Sequence, residues 1–402
     1  MTFASIFRAF SAPNSPFRQI SGAFVILGLL ASCSSFQLNP PPVPPGPADR
    51  AQVIDDRQIV ALVATRSAAD ALQTKAEARG FVTREVVPLE RLGLRMLSFD
   101  IPQPLDGAGA ITLLESLEPG ATAGVNHAYR LTQIEEQAGN RFDYASRMIG
   151  WTAGACRAHG PIGMLDTGID EYALQPSGAK VTERSFVRGG DVPEQHGTDV
   201  AMLLVDPDRL RNVTLYSAAV VGQTSAGREE AGVDAILEAL DWMASNGVRV
   251  VNVSLAGPYN KILDRGIDRA AALGLTIVAS VGNDGASASP RYPAAFDNVI
   301  GVTAVDASEA IYRNAVRGDH VDLAAPGVDV LVTAQDGQRF VTGTSVAAPF
   351  VTSRIAADPS LQSGGTLATI RNTLRGQAKD LGPAGFDGTY GAGLVQAPTA
   401  CR

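Results

Sequence analysis

Apolar and polar positions follow two different rhythms along the chain, and the change falls near residue 150. Between 56 and 131 the runs are short. QIVALVA (58–64) reads as a strand, SAADALQTKAEARG (67–80) as a helix stopped at Gly80, and FVTREVVPL (81–89) and LRMLSFDI (94–101) as two further strands. AGAITLLESLEPG (108–120) reads as a second helix and TAGVNHAYRL (122–131) as a closing strand. The order βαββαβ predicts a small α+β unit of the ferredoxin-like, split βαβ type over 56–131. Polar residues dominate 132–150, which reads as a linker.

From 151 to 402 buried strands alternate with helices. Strands are predicted over 160–166, 212–221, 248–255 and 275–283, and helices over 229–247 and 260–274. Such alternation predicts an α/β domain with a mostly parallel sheet, right-handed crossovers and helices on both faces. Ligands of these sheets bind beyond the carboxyl ends of the strands. Asp166, Ser254 and Asn283 each fall at or near such an end.

The first residues follow neither rhythm. Arg8 and Arg18 precede AFVILGLLA (23–31), a run too short to span a bilayer but suited to the core of a signal peptide, here 1–32. LASC (30–33) resembles the lipobox of bacterial lipoproteins. That resemblance implies a lipid on Cys33 that anchors the chain in the cell envelope. Ser34 rather than Asp follows, which implies the outer membrane. NPPPVPPGP (39–47), within the segment 33–55, reads as a stiff extended tether.

Composition narrows the choice of chemistry. A net charge of −8 and the lack of a dense basic run argue against a nucleic-acid partner, while 45% apolar residues supply a real core. With Cys33 assigned to lipid, Cys156 and Cys401 remain. In an exported chain an even pair reads as one disulfide, with two free thiols as the alternative. His127, His159 and His320 lack metal-ligand spacing and read as structural or solvated.

Three polar residues stand at element ends. Asp166 closes an apolar strand in MLDTGID, His196 opens HGTDVAMLLV, and Ser345 opens SVAAPFVTSRIAA after a Gly-Thr step. An Asp, a His and a Ser are the parts of an acyl-transfer triad, in which the His takes the Ser proton and the Asp fixes the imidazole. Singly, each is more commonly a cap or a turn residue. Together with IGMLDTGID (162–170), HGTDVA (196–201), SVGNDG (280–285), GTSVAAPFV (343–351) and the closing YGAGLVQA (390–397), they resemble the subtilisin-like serine proteases, the subtilases.

That resemblance implies a serine endopeptidase acting on polypeptides through an acyl-enzyme at Ser345, with Asp166 and His196 completing the triad. It implies Asn283 as oxyanion donor, Ser254, Leu255, Ala256 and Gly257 as the segment that pairs with an extended substrate, and Ser280 and Gly282 as a pocket wall. It also implies that 56–131 is a prodomain that inhibits in cis, so that the protein is a zymogen whose processed enzyme either stays associated with the prodomain or is released. A permanent accessory domain is the alternative for that unit. No cofactor is implied; calcium stabilises many members of the family, but no loop here identifies a site. Asp199, Met202, Val346, Ser353 and Ala256 depart from the usual pattern, and Asp199 either raises the His196 pKa or faces solvent. The alternative function is a catalytically silent binding or scaffold protein on the same fold.

Overall fold

The protein is described by a computed structural model covering residues 53–132, 135–137, 144–151, 156–334, 337–363 and 365–401. The signal peptide, the proline-rich segment and Cys33 lie outside the described residues.

The small unit pairs Val82–Leu89, Leu94–Asp100, Gln58–Val63 and Thr122–Val125, in that order, into an antiparallel sheet. Helices Arg66–Glu77 and Gly107–Leu117 cover one face. Their starts are fixed by side-chain caps: Thr65 accepts from Ala68 N and Asp106 from Gly109 N. Every residue of Gln58–Val63 is buried, which an isolated one-layer cover cannot achieve. Ile59, Ala61 and Val63 face the unit's own helices, with Phe99 and Leu114. Val60 and Leu62, with Leu94 and Met96, pack instead into a core shared with Ile236, Leu237 and Ile262 of the large domain.

The large domain is built on seven strands in the order Leu323–Pro326, Val299–Val305, Thr276–Ser280, Val250–Val253, Ile162–Asp166, Thr214–Ala219 and Lys180–Ser185, with every pairing parallel. The strand order reverses at Ile162–Asp166, which places the switch point of the sheet at Asp166. Helix Thr344–Ala356 runs against the sheet with all of its residues buried. Ala347, Ala348 and Pro349 keep it slim enough to pack closely there, and Pro349 has no N–H to return to the Ser345 carbonyl. Cys156 and Cys401 are bonded, their Cα atoms 5.4 Å apart. Among the described residues no helix is long and apolar enough to cross a membrane.

Three sequence expectations are corrected. The run 229–247 is not one helix: Glu229–Gly232 is a strand, and the helix is Val233–Ser245. Glu and Ala favour helix, but pairing with a neighbouring strand overrides that preference. The run 122–131 is two strands, Thr122–Val125 and Ala128–Leu131, broken at Asn126 and His127. Finally, 132–150 is more than a linker. Thr132 is buried, Glu135–Gln137 is a strand, and Ala145–Met148 is a short helix with Ala145 and the following Ile149 in the core.

Candidate active site

Parallel register sets the site out in a row. Val253 lies beside Leu165 on one side and Ala279 on the other, so the next position on each strand brings Asp166, Ser254 and Ser280 level at the carboxyl rim. His196 arrives from the helix Gln195–Leu204. That helix must come close to the loop after Asp166, and Gly197 permits it: a Cβ there would lie 2.4 Å from the carbonyl oxygen of Gly168. Gly197 N donates to Thr167 Oγ1 at 2.7 Å, which pins the approach. The result is a 2.6 Å contact between His196 Nδ1 and Asp166 Oδ1, and Thr167 N donates to the same oxygen at 2.8 Å.

Asp166 is wholly buried. Burial by itself would push the His196 pKa down. The charge of Asp166 and its hydrogen bond, with the Thr132 carbonyl and Asp199, outweigh this and hold it above the usual imidazole value. Asp199 does not face solvent. It is 1% exposed and ion-paired with Arg339 on the strand Gly337–Thr342. Burial pushes its own pKa up against the pull of that guanidinium.

Ser345 is the second residue of its helix, where backbone N–H groups lack intrahelical acceptors. Its hydroxyl donates to the carbonyl oxygen of Thr132 at 2.7 Å, and His196 Nε2 lies 3.1 Å from the same oxygen. Asn283 lies past the end of its strand, in the loop that faces this helix. Its Oδ1 accepts from Thr344 N at 3.1 Å and Thr344 Oγ1 at 2.8 Å, which turns the donor end of the amide away from that turn.

The cleft holds a piece of this chain. Ala128–Leu131 runs as the middle strand between Glu229–Gly232 and Leu255–Ala256, antiparallel to both. Thr132 N continues the ladder to Ser254 O at 3.1 Å. Tyr129 is fully buried; its hydroxyl donates to Pro258 O at 2.8 Å and burial pushes its pKa up. The ring occupies the space that a side chain at Gly257 would need, 2.4 Å from a Cβ built there. Arg130 meets Glu230 at 3.2 Å. Thr132 Oγ1 lies 2.9 Å from Ser280 Oγ. Beyond Thr132, the strand Glu135–Gln137 pairs with Gly337–Thr342, the strand that leads into the Ser345 helix.

The structure thus gathers Asp166, His196, Ser345, Ser254, Leu255, Ala256, Gly257 and Ser280 around one segment whose Tyr129 and Thr132 are buried, with Gly282 and Asn283 in the loop that follows Ser280. Gly282 N donates to Thr344 Oγ1 at 3.2 Å, tying the pocket wall to the Ser345 turn. Sequence reasoning missed the second wall, Glu229–Gly232, and the orienting role of Thr344. Gly232 before an amphipathic helix was the available signal for the wall. His127 bonds to Asn260 Nδ2 at 3.0 Å, outside the site. Among the described residues no group of three or more His, Cys, Asp or Glu is arranged to hold a metal ion.

Comparison with known proteins agrees with this geometry. The model of the subtilase family matches residues 161–393. Subtilisin DY of Bacillus licheniformis is 32% identical over 257 residues, which cover 60% of this chain and 90% of the relative. Subtilisin Savinase of Lederbergia lenta is 32% identical over 255 residues, with the same shares covered. The crystal structure of fervidolysin from Fervidobacterium pennivorans, a keratinolytic enzyme related to subtilisin, superposes with a TM-score of 0.70 at 20% identity, over 85% of this chain and 60% of that one.

Proposed function

The chain belongs to the subtilase family and is a serine endopeptidase, and we propose that it is made as a zymogen that cuts its own backbone after Thr132, with Asp166, His196 and Ser345 as its triad. The observation that carries this reading is the Thr132 carbonyl, 2.7 Å from the Ser345 hydroxyl and 3.1 Å from His196 Nε2 at the end of a strand held as an extended substrate is held.

In the bound arrangement that oxygen rests on the nucleophile. For attack it swings toward the Asn283 amide and the Ser345 N–H, which take up its negative charge. His196 accepts the Ser345 proton as the Oγ–C bond forms, and Asp166 stabilises the imidazolium. The imidazolium then protonates the leaving amide nitrogen as the C–N bond breaks. Water, deprotonated by His196, releases Thr132 as a carboxylate. Nucleophile, base and donors are all groups of this chain, so the proposed chemistry calls on no cofactor.

The small unit then acts as a prodomain and inhibitor, since the strand that follows it, Ala128–Leu131, fills the cleft before and after the cut. We place the chain in the cell envelope through a signal peptide and a lipid on Cys33, with the outer membrane as destination. The cut leaves the anchor with the prodomain and the peptidase held by docking alone. Intact mass of the full chain beside Ser345→Ala tests the zymogen reading: the wild type alone should yield a fragment ending at Thr132, and fluorophosphonate should label Ser345. Equal, uncut masses without labelling would reject it. Loss of palmitate labelling in Cys33→Ser tests the anchor.

A further inference from the structure

We propose that this peptidase selects a β-hydroxy residue at the position immediately before the bond it cuts, and that Ser280 reads the hydroxyl. The inference rests on the reading of Thr132 as the residue at the cut.

Thr132 is 3% exposed and Ser280 is 0% exposed, so their contact is shut off from water. Thr132 Oγ1 donates to Ser254 O at 3.1 Å and lies 2.9 Å from Ser280 Oγ. The direction of both bonds follows. A main-chain carbonyl can only accept, so the threonine proton goes to Ser254, and Ser280 must donate to the threonine oxygen. The side chain at this position is therefore asked to accept and donate at once, which a hydroxyl does and a methyl cannot. Among the described residues Thr132 is the one hydrogen-bond partner of the Ser280 hydroxyl. The Ser254 hydroxyl is engaged by Asn252 Nδ2 at 3.1 Å, and Asn252 Oδ1 by Thr352 Oγ1 at 3.2 Å.

Valine has the shape of threonine with a methyl in place of the hydroxyl. In this pocket that methyl would fill the space and leave no room for a replacement water. Ser280 would then bury an unpaired donor. A site built to bond a hydroxyl discriminates strongly against the isostere that lacks it. The natural substrates are on this view polypeptides with an extended segment ending in Thr or Ser before the cut.

The test uses the processed enzyme and peptides carrying the sequence Ala-Tyr-Arg-Leu-Thr before a chromogenic amide, beside the same peptides ending in Val, Ser or allo-threonine. The wild type should prefer Thr to Val in kcat/KM by about tenfold or more. Allo-threonine, with hydroxyl and methyl exchanged, should fall with Val. In Ser280→Ala the Thr-to-Val ratio should collapse to near one or invert, and its turnover of the Val peptide reports that the variant is folded. Equal or better cleavage of the Val peptide by the wild type would overturn the proposal. So would a ratio unchanged in Ser280→Ala. Should that variant not fold, the wild-type ranking of Thr, Val and allo-threonine decides alone. A full chain that is cut elsewhere than after Thr132 would reject the zymogen reading instead, and the peptide ratios separate the two failures.

Discussion

Thr122–Val125 and Ala128–Leu131 are separated by two residues, yet they belong to different sheets and serve different ends. The first completes the small unit, with Ile59 opposite Val125 and Leu62 opposite Thr122. The second lies between two strands of the large domain and leads to Thr132, whose carbonyl accepts from the Ser345 hydroxyl. The break is anchored. Asn126 is buried, its Nδ2 donates to Gln58 Oε1 at 3.3 Å, and its Oδ1 accepts from Val233 N at 2.8 Å, where it caps the helix of the opposite domain. One strand-forming run is thus split between holding a shape and presenting a bond. The structural strand is an edge, bonded on one side only, whereas the strand in the cleft is bonded on both sides and is set apart by the reactive group at its end.

The largest effect on that division should come from Ser345→Ala, which keeps both halves on one chain. Loss of the corresponding serine in subtilisin lowers kcat by about 10⁶, and the cut after Thr132 should vanish from an intact-mass time course. Asn283→Ala should slow the cut by about 10²–10³, the magnitude known for such a donor in subtilisin, while leaving the fold intact. Tyr129→Ala acts on the second half alone. Removing a buried aromatic costs about 3 kcal/mol, so the cut protein should lose its self-inhibition and gain about 10²-fold in activity on added peptide.

Acid should work on the same half through His196. The base must be neutral, so the cutting rate should rise about tenfold per pH unit on the acid side and level off above the ordinary imidazole value of 6.5. A midpoint at or below 6.5 would contradict the raised pKa. That upward shift also means that the folded chain favours the protonated ring. Its contribution to stability is full below the ordinary value and is lost as pH rises through the raised one. The smallest effect belongs to Glu230→Gln. Arg130 is 46% exposed in its pair with Glu230, so only a loss of about two- to fivefold is expected in the preference for Arg over a neutral residue at that position.

Much of the site was legible because its parts are local. Asp166 at a strand end, Ser345 after Gly-Thr and the run 254–257 each carry their signal in their neighbours. The parallel sheet followed from the alternation of apolar strands and helices. What stayed hidden depends on pairs far apart in sequence. Glu229–Gly232 reads as helix until Ala128–Leu131 lies beside it. Asp199 finds Arg339 across 140 positions, so nothing near His196 could tell burial from exposure. Thr132 acts through its main-chain carbonyl, which no side-chain pattern marks.

The sheet of the small unit has a consequence in time. Its second face, with Val60, Leu62, Leu94 and Met96, is covered only by the large domain. A unit this small is marginal alone, and water on that face should loosen it further. An unfolded fragment is an extended chain, which is what the cleft takes. If the proposed cut is made, a fragment that departs should be digested as ordinary protein and the inhibitor should not return. On the proposed zymogen reading, activation therefore runs forward only, like a fuse rather than a switch, and each molecule is restrained once.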